Sequence, residues 1–385
     1  MYMTTRAKKL LLVTGETSGD HHGARVISAL NQMAPGLRAY GIGGDELAKA
    51  GMELLYHSRD LSVVGISEVL LRANHIVKAY RLLKRELIQS PPDLLMLIDY
   101  PEFNLRIARI AHKHGVPVFY YISPQIWAWR KGRAKKIARI IDKMAVIFPF
   151  EVPFYRQVGL DAEFVGHPLV DRDIQLPDKQ QALQSLGLGT AGPVIGILPG
   201  SRKSEISGLL PPMLEAAGRI RQEFGDARFV LPLAPGIEQE YLQAIITRQK
   251  VPVNVVSDNF RQAVAVCDFV LVASGTATLE TAIMEKPMII VYKVSPLSYA
   301  VGKLLIEVPF IGLVNIVAGK KVVPELIQQE VTPERIARES ISLLKDRARM
   351  AAIAKELGSI KHALGSSGAA QRVARIAYTM ITGNR

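Results

Sequence analysis

Residues 266–292 read VCDFVLVASGTATLETAIMEKPMIIVY, which is a strand, a glycine turn, a helix and a second strand in one run. Asp268 to Ala273 is a short apolar run of the buried parallel-strand kind, Ser274-Gly275-Thr276 breaks it, and Ala277 to Glu285 carries helix formers up to Pro287. Ser274, Gly275 and Thr276 therefore fall at a helix N-terminus. Unpaired N–H groups and the positive end of the helix dipole favour a phosphate there, and Gly275 lets one approach closely. Glu280 lies one helical turn beyond Thr276 on the same face, where a carboxylate can accept two hydrogen bonds from a ribose diol. A capped helix of any α/β domain has the same pattern, so the stretch settles the local fold and leaves its use open.

Outward from this unit, 385 residues are too many for one ordinary core and suit two α/β domains. The expected division is a first domain over 1–167, a polar connection over 168–192, a second domain over 193–365 and a final helix over 366–385. The single cysteine, Cys267, excludes an internal disulfide, sits at the entry of an apolar strand as a buried thiol would, and makes a reducing cytoplasm the simplest home. The N-terminal apolar run is short and ends in a glycine turn, which fits a first strand better than a signal peptide, and no segment approaches a transmembrane span. The net charge of +13 calls for nucleic acid, an anionic membrane surface or anionic substrates.

In the first half, Lys9 to Thr14 is a strand, Gly15 to Gly23 a turn and Ala24 to Met33 a helix. The glycine spacing matches neither the dinucleotide fingerprint nor the P-loop, because Asp20 stands where the P-loop needs its lysine. Glu16 and Asp20 at a strand's carboxyl end suit the hydroxyl groups of a sugar acceptor. Asp93-LLMLIDYPEFN runs an apolar strand straight into Asp99, which places that carboxylate where open α/β sheets bind ligands and where an apolar pocket would raise its pKa toward general-base duty. Between these elements, residues 61–71 hold Val64, Ile66, Leu70 and Leu71 among other apolar residues, more than one buried stripe requires, beside the cations of 72–85. Such a segment fits a membrane interface or acyl chains. Trp127 and Trp129 stand next to a basic run, but one short cluster without a binding module is weak support for nucleic acid.

The second half restarts the pattern. Strand Val194 to Leu198 leads into Pro199-Gly200-Ser201-Arg202 and a helix, a second phosphate-type turn with an arginine able to fork onto a diphosphate. Further strands alternate with helices, and Pro324 is expected to open a helical tail. Asp171-Arg172-Asp173 is a D-x-D string in the connecting segment, and the histidine pairs lack third ligands, so no metal or other cofactor is expected.

GETSGD (15–20), LIDYPEFN (97–104), SPQIWAWR (123–130), VGHP (165–168), LPGSR (198–202), ASGTATLE (273–280) and VPELIQ (323–328) together resemble the lipid-A-disaccharide synthase family, in order over nearly the whole chain. The resemblance implies a GT-B glycosyltransferase: two Rossmann-like domains with parallel sheets facing across a cleft, working without metal and inverting the anomeric carbon. It implies joining UDP-2,3-diacylglucosamine to 2,3-diacylglucosamine 1-phosphate at the inner face of the cytoplasmic membrane, giving the β(1→6) disaccharide 1-phosphate and UDP. On this reading Asp99 is the base, with Glu16 and Asp20 as competitors for that role. Arg202 and the N–H groups near Gly200, Ser201, Gly275 and Thr276 hold the diphosphate, Glu280 holds the ribose, and Glu16, Asp20 and Asn104 position the acceptor. Glu102 departs from the family's aspartate and takes no role. Peripheral attachment to an anionic membrane is implied, nucleic acid is not, and a homodimer is left open. The rival readings are a UDP-sugar epimerase on the same scaffold, which would need no lipid acceptor, and a basic nucleic-acid-binding protein.

Overall fold

Apolar runs with no alternation become strands covered on both faces. The computed structural model describes residues 7–61, 66–128, 131–171, 178–249, 251–257, 259–296, 299 and 308–383, with the side chains of 66–73, 128 and 131 outside the description. The chain divides into two units, Met1–Arg172 with Leu364–Arg385, and Asp173–Ala363.

In the first unit the strands are β1 (Lys9–Thr14), β2 (Arg38–Gly43), β3 (Glu53–His57), β4 (Leu94–Ile98), β5 (Val118–Tyr121), β6 (Lys143–Val146) and β7 (Ala162–Phe164). They form a seven-stranded sheet in the order β3-β2-β1-β4-β5-β6-β7, each neighbouring pair parallel. The helices between them are α1 (Thr17–Met33), α2 (Asp45–Lys49), α3 (Ile66–Gln89), α4 (Pro101–Lys113), α5 (Ala134–Ala138) and α6 (Glu151–Arg156). Successive strand residues feed opposite cores: Leu11, Val13, Leu95 and Leu97 pack with α3 and α4, while Leu10, Leu12, Leu94 and Met96 pack with α1.

Helix α1 begins seven residues earlier than the glycine pattern suggested. Gly19 and Gly23 lie inside it on its buried face, where a Cβ on Gly19 would run into the Thr14 hydroxyl and one on Gly23 would crowd Ile98 and Leu47. These glycines let the helix press onto the sheet instead of breaking it. The C-terminal helix Ala369–Thr382 packs Val373, Ala374, Ala377 and Ile381 into the α1 core and so belongs to this unit.

In the second unit β8 (Val194–Leu198), β9 (Arg228–Pro232), β10 (Val253–Val256), β11 (Phe269–Ala273), β12 (Met288–Tyr292) and β13 (Glu325–Ile327) form a parallel sheet in the order β10-β9-β8-β11-β12-β13. Its helices include α7 (Lys179–Ser185), α8 (Lys203–Glu223), α9 (Gln239–Gln249), α10 (Phe260–Ala265) and α11 (Thr276–Ile283), followed by Leu313–Ala318, Pro333–Lys345 and Arg347–Ala363. The expected helix after Pro324 is instead β13, paired in register with Ile290 to Tyr292. A strand has a place there because β12 would otherwise be an open edge, and Gln328, at φ 53°, ends it. Cys267 is buried, and burial pushes its thiol up to about 12.

Candidate active site

Each sheet has one place where the strand order reverses direction: between β1 and β4 in the first unit, and between β8 and β11 in the second. The connections leave these paired strands toward opposite faces, which opens a crevice outside their carboxyl ends. Gly15-Glu16 and Asp99 occupy the first crevice, and Pro199–Arg202 and Ser274–Thr276 the second.

Asp99 follows β4 with φ 48°, and Tyr100 repeats that left-handed conformation at φ 48°. Two such residues in a row are strained, and the surroundings hold them. The Asp99 N–H donates to Tyr121 O at 3.1 Å, while its carbonyl accepts from Tyr120 Oη at 2.6 Å and Asn104 Nδ2 at 2.7 Å. Burial, and then the nearby Glu16 carboxylate, push the Asp99 acid up from its ordinary value to about 6, against a smaller pull from the Tyr100 N–H. Glu16 itself is exposed at the N-cap of α1. The Tyr100 ring lies over Gly15, where any Cβ would collide with it, and its hydroxyl donates to Leu61 O at 3.2 Å. Asp99 and Glu16 are thus together at the switch point.

Asp20 and Asn104 have other tasks. Asp20 is 5% exposed, and its carboxylate accepts from the N–H groups of Gly44 (2.6 Å), Glu46 (3.0 Å) and Leu47 (3.2 Å). It caps α2 from another helix, and the glycine at 44 makes room for it. Its lone pairs are spoken for, so the expected acceptor-facing carboxylate is a tie between elements. Asn104 is 0% exposed and its Nδ2 lies within reach of the carbonyls of Val13, Ile98 and Asp99. It clamps the strained turn from below, with its side chain wholly buried. Glu102 is exposed and pairs with Arg133 at 2.9 Å.

In the second unit Gly200 has φ 111°, and a Cβ there would strike Glu205. The Glu205 carboxylate accepts from Ser201 N (3.0 Å) and Arg202 N (3.3 Å) and lies 3.4 Å from the Arg202 guanidinium, which is 68% exposed. The turn is therefore pre-shaped by a carboxylate, and the Ser201 N–H expected to meet phosphate is already bonded. Gly275 keeps open space where a Cβ would be, at the N-cap of α11 with no side-chain cap. Ser274 donates its hydroxyl to Ile311 O at 3.0 Å, Thr276 is exposed, and Glu280 is half-buried on the next turn. Of the two loops, the one opening α11 presents the helix end a phosphate needs.

The family model described as lipid-A-disaccharide synthetase (LpxB) matches residues 10–376. The chain is 46% identical to the lipid-A-disaccharide synthase of Geobacter sulfurreducens over 97% of each chain, and 47% identical to that of Syntrophus aciditrophicus over 97% of this chain and 98% of that one. The chain belongs to the lipid-A-disaccharide synthase family. Solved structures share the fold at low identity. The Staphylococcus aureus MnaA–UDP structure has a TM-score of 0.64 at 13% identity over 97% of both chains, and the calicheamicin glycosyltransferase CalG4 0.60 at 16% over 98% and 99%. The architecture of this synthase-family chain is accordingly the GT-B type, two Rossmann-like parallel-sheet domains.

Several residues of the family motifs act by holding loops, which the sequence reading missed. Glu325 of VPELIQ accepts from Ile311 N (3.0 Å), Gly312 N (2.9 Å) and Asn315 Nδ2 (2.8 Å), and so fixes the loop whose carbonyl receives Ser274. Gln328 clamps the Val294 peptide through both amide atoms, at 2.7 and 3.1 Å. The one signal in the sequence was a polar residue interrupting an apolar run. Asp171 accepts from Gly368 N (2.7 Å), Ala369 N (3.0 Å) and Ala370 N (3.4 Å), capping the C-terminal helix, so the D-x-D string is read as a helix cap at its first position. Asp173, Val64 and the side chains of Ile66, Leu70 and Leu71 lie outside the described residues. Among the described residues no group of three His, Cys, Asp or Glu is placed to hold a metal, and no helix is long and apolar enough to cross a membrane.

Proposed function

We propose that this synthase-family chain transfers 2,3-diacylglucosamine from UDP to the 6-hydroxyl of 2,3-diacylglucosamine 1-phosphate, with inversion and with Asp99 as general base. The observation that carries it is a carboxylate at the β1/β4 switch point, held by a strained turn and pushed up to about 6 by burial and Glu16. Such a group is ionised at neutral pH yet basic enough to take a hydroxyl proton. In the step, the acceptor oxygen bonds to C1 as the C1–O bond to the diphosphate breaks, the hydroxyl proton passes to Asp99, and UDP leaves with the negative charge. Developing charge on the leaving diphosphate is met by the N-terminus of α11 at Gly275 and Thr276, and by Arg202 once it exchanges Glu205 for phosphate. Glu280 receives the ribose hydroxyls. UDP in the MnaA structure of the same fold supports a UDP-sugar donor. Glu16 is proposed to raise the basicity of Asp99 and to meet acceptor hydroxyls.

We assign peripheral membrane attachment to the apolar residues Val64, Ile66, Leu70 and Leu71 with the cations Lys78, Arg81, Lys84 and Arg85, because the acceptor and donor both carry acyl chains that stay in a bilayer. Incubation with both monosaccharide lipids, read by mass spectrometry and UDP release, tests the reaction. Formation of the disaccharide 1-phosphate is expected. Conversion of the donor alone to an epimer, or neither product, would refute it.

A further inference from the structure

Glu151 is a buried acid with no role in the steps above. It opens α6 directly after β6 and is 1% exposed. Its Oε1 accepts from Ser123 Oγ and, at 3.0 Å, from Trp127 Nε1, while its Oε2 accepts from Phe148 N at 3.0 Å. Two of these donors belong to the SPQIWAWR segment that follows β5, a motif otherwise without a task in the chemistry.

A carboxylate offers only acceptor sites, which suits three converging donors, whereas an amide would turn an N–H toward one of them. Keeping an acid in such a place is costly, since burial drives its proton affinity up to about 7 even against those donors. Packing alone would be served as well by a neutral side chain. The segment it holds starts under strain: Ile122, a β-branched residue, has φ 64°. That left-handed conformation costs ~1–2 kcal/mol for such a residue and persists only where neighbours impose it. Besides Glu151, Tyr155 Oη donates to Pro124 O at 3.0 Å, and the Trp127 ring meets Phe150 edge-on at 4.9 Å.

The same strand end carries the base. β5 lies beside β4, Tyr121 O accepts from the Asp99 N–H at 3.1 Å, and Tyr120 Oη donates to Asp99 O at 2.6 Å. If the segment after β5 came loose, Ile122 would relax toward the extended region and the Tyr121 carbonyl would turn with it. Asp99 would then lose a backbone restraint on its own strained turn.

We propose that Glu151 is a positioning residue for the transfer, its carboxylate fixing the Ser123–Trp127 segment and, through the end of β5, the Asp99 turn in the geometry that receives the acceptor. This rests on the reaction assigned above. The test compares Glu151→Gln, Glu151→Asp, Ser123→Ala and Trp127→Phe in the full chain, by kcat and KM for both lipids and by UDP binding. Emission of Trp127 is read in wild-type and Glu151→Gln chains that also carry Trp129→Phe. Glu151→Gln is expected to shift that emission and lower kcat ~10- to 100-fold, with UDP affinity within twofold of wild type. Glu151→Asp should recover part of the loss, and each single-donor variant should lose less than Glu151→Gln. Wild-type kcat and acceptor KM in Glu151→Gln overturn the positioning role. If that variant does not fold, wild-type turnover in both Ser123→Ala and Trp127→Phe overturns it equally. A wild-type chain that forms no disaccharide overturns the assigned reaction and this role with it, whereas a productive wild type matched by Glu151→Gln overturns only the role of Glu151.

Discussion

At the scale of single residues, Asp99 and Arg202 are the side chains whose chemistry can be separated from their surroundings. Raising an acid from its unfolded value to about 6 means that the folded protein binds more protons than the unfolded chain between roughly pH 4 and 6. Stability from this group is therefore greatest below pH 4 and is lost as pH rises through 6. Asp99→Asn, neutral at every pH and at ease in a left-handed turn, should melt higher than wild type above pH 6, by up to about 3 kcal/mol for a two-unit shift, with the gap closing toward pH 4. Melting curves across that range check it, and a lower melting temperature at pH 7 would speak against a desolvated carboxylate. With Asp99 as the proposed base, the same shift should place the acid limb of kcat/KM near pH 6 instead of the ordinary carboxylate value near 4, with a tenfold fall per unit below it. Arg202→Ala should weaken UDP binding by roughly tenfold or more, the usual worth of a charge-assisted hydrogen bond less the solvent screening of an exposed guanidinium, and calorimetric titration with UDP reads it directly.

At the scale of elements, periodicity and apolar runs placed most strands to within a residue or two, because a parallel strand buried on both faces writes its whole length as an apolar run. The ends of β1, β4, β8 and β11 were legible for the same reason, and with them Asp99, Glu16 and the two glycine turns. What the local pattern could not supply was the partner of each polar residue. Asp20 caps a helix 24 to 27 residues away, Asp171 caps one almost 200 residues away, and Glu205 occupies N–H groups that a motif reading leaves open. A carboxylate near a strand end looks alike whether it meets a ligand or a distant backbone, and only the N–H partners that the fold brings to it distinguish the two. The β13 segment was misread because its three residues carry no periodicity and gain their conformation from pairing with β12. The Asp171 cap has a consequence at this scale: Asp171→Ala should lower the stability of the first unit by about 1–2 kcal/mol, seen as a lower melting temperature. A chelator should leave wild-type melting unchanged, and a chelator-induced drop would restore the D-x-D string to metal binding.

At the scale of the whole molecule, the two units repeat one device, a ligand crevice at the switch point of a parallel sheet, and furnish it differently. The first places the carboxylates Asp99 and Glu16 there, proposed to serve a hydroxyl nucleophile, and the second a helix end and Arg202, proposed to serve a diphosphate. The charge of +13 fits the proposed anionic substrates and the proposed attachment to an anionic surface. Replacing Val64, Ile66, Leu70 and Leu71 with Ser should reduce co-sedimentation with vesicles containing anionic lipid and slow turnover of long-chain substrates, with UDP affinity unchanged. Equal sedimentation for the quadruple variant would remove the segment from membrane attachment. The assignment of the base reaches furthest, and steady-state conversion of the two monosaccharide lipids by wild type, Asp99→Asn and Glu16→Gln, with melting temperature as the control on folding, tests it most directly. The expected result is a kcat for Asp99→Asn lower by ~10² to 10⁴ with UDP binding intact, and a smaller loss for Glu16→Gln. Asp99→Asn retaining most of its kcat while Glu16→Gln loses it would contradict the assignment.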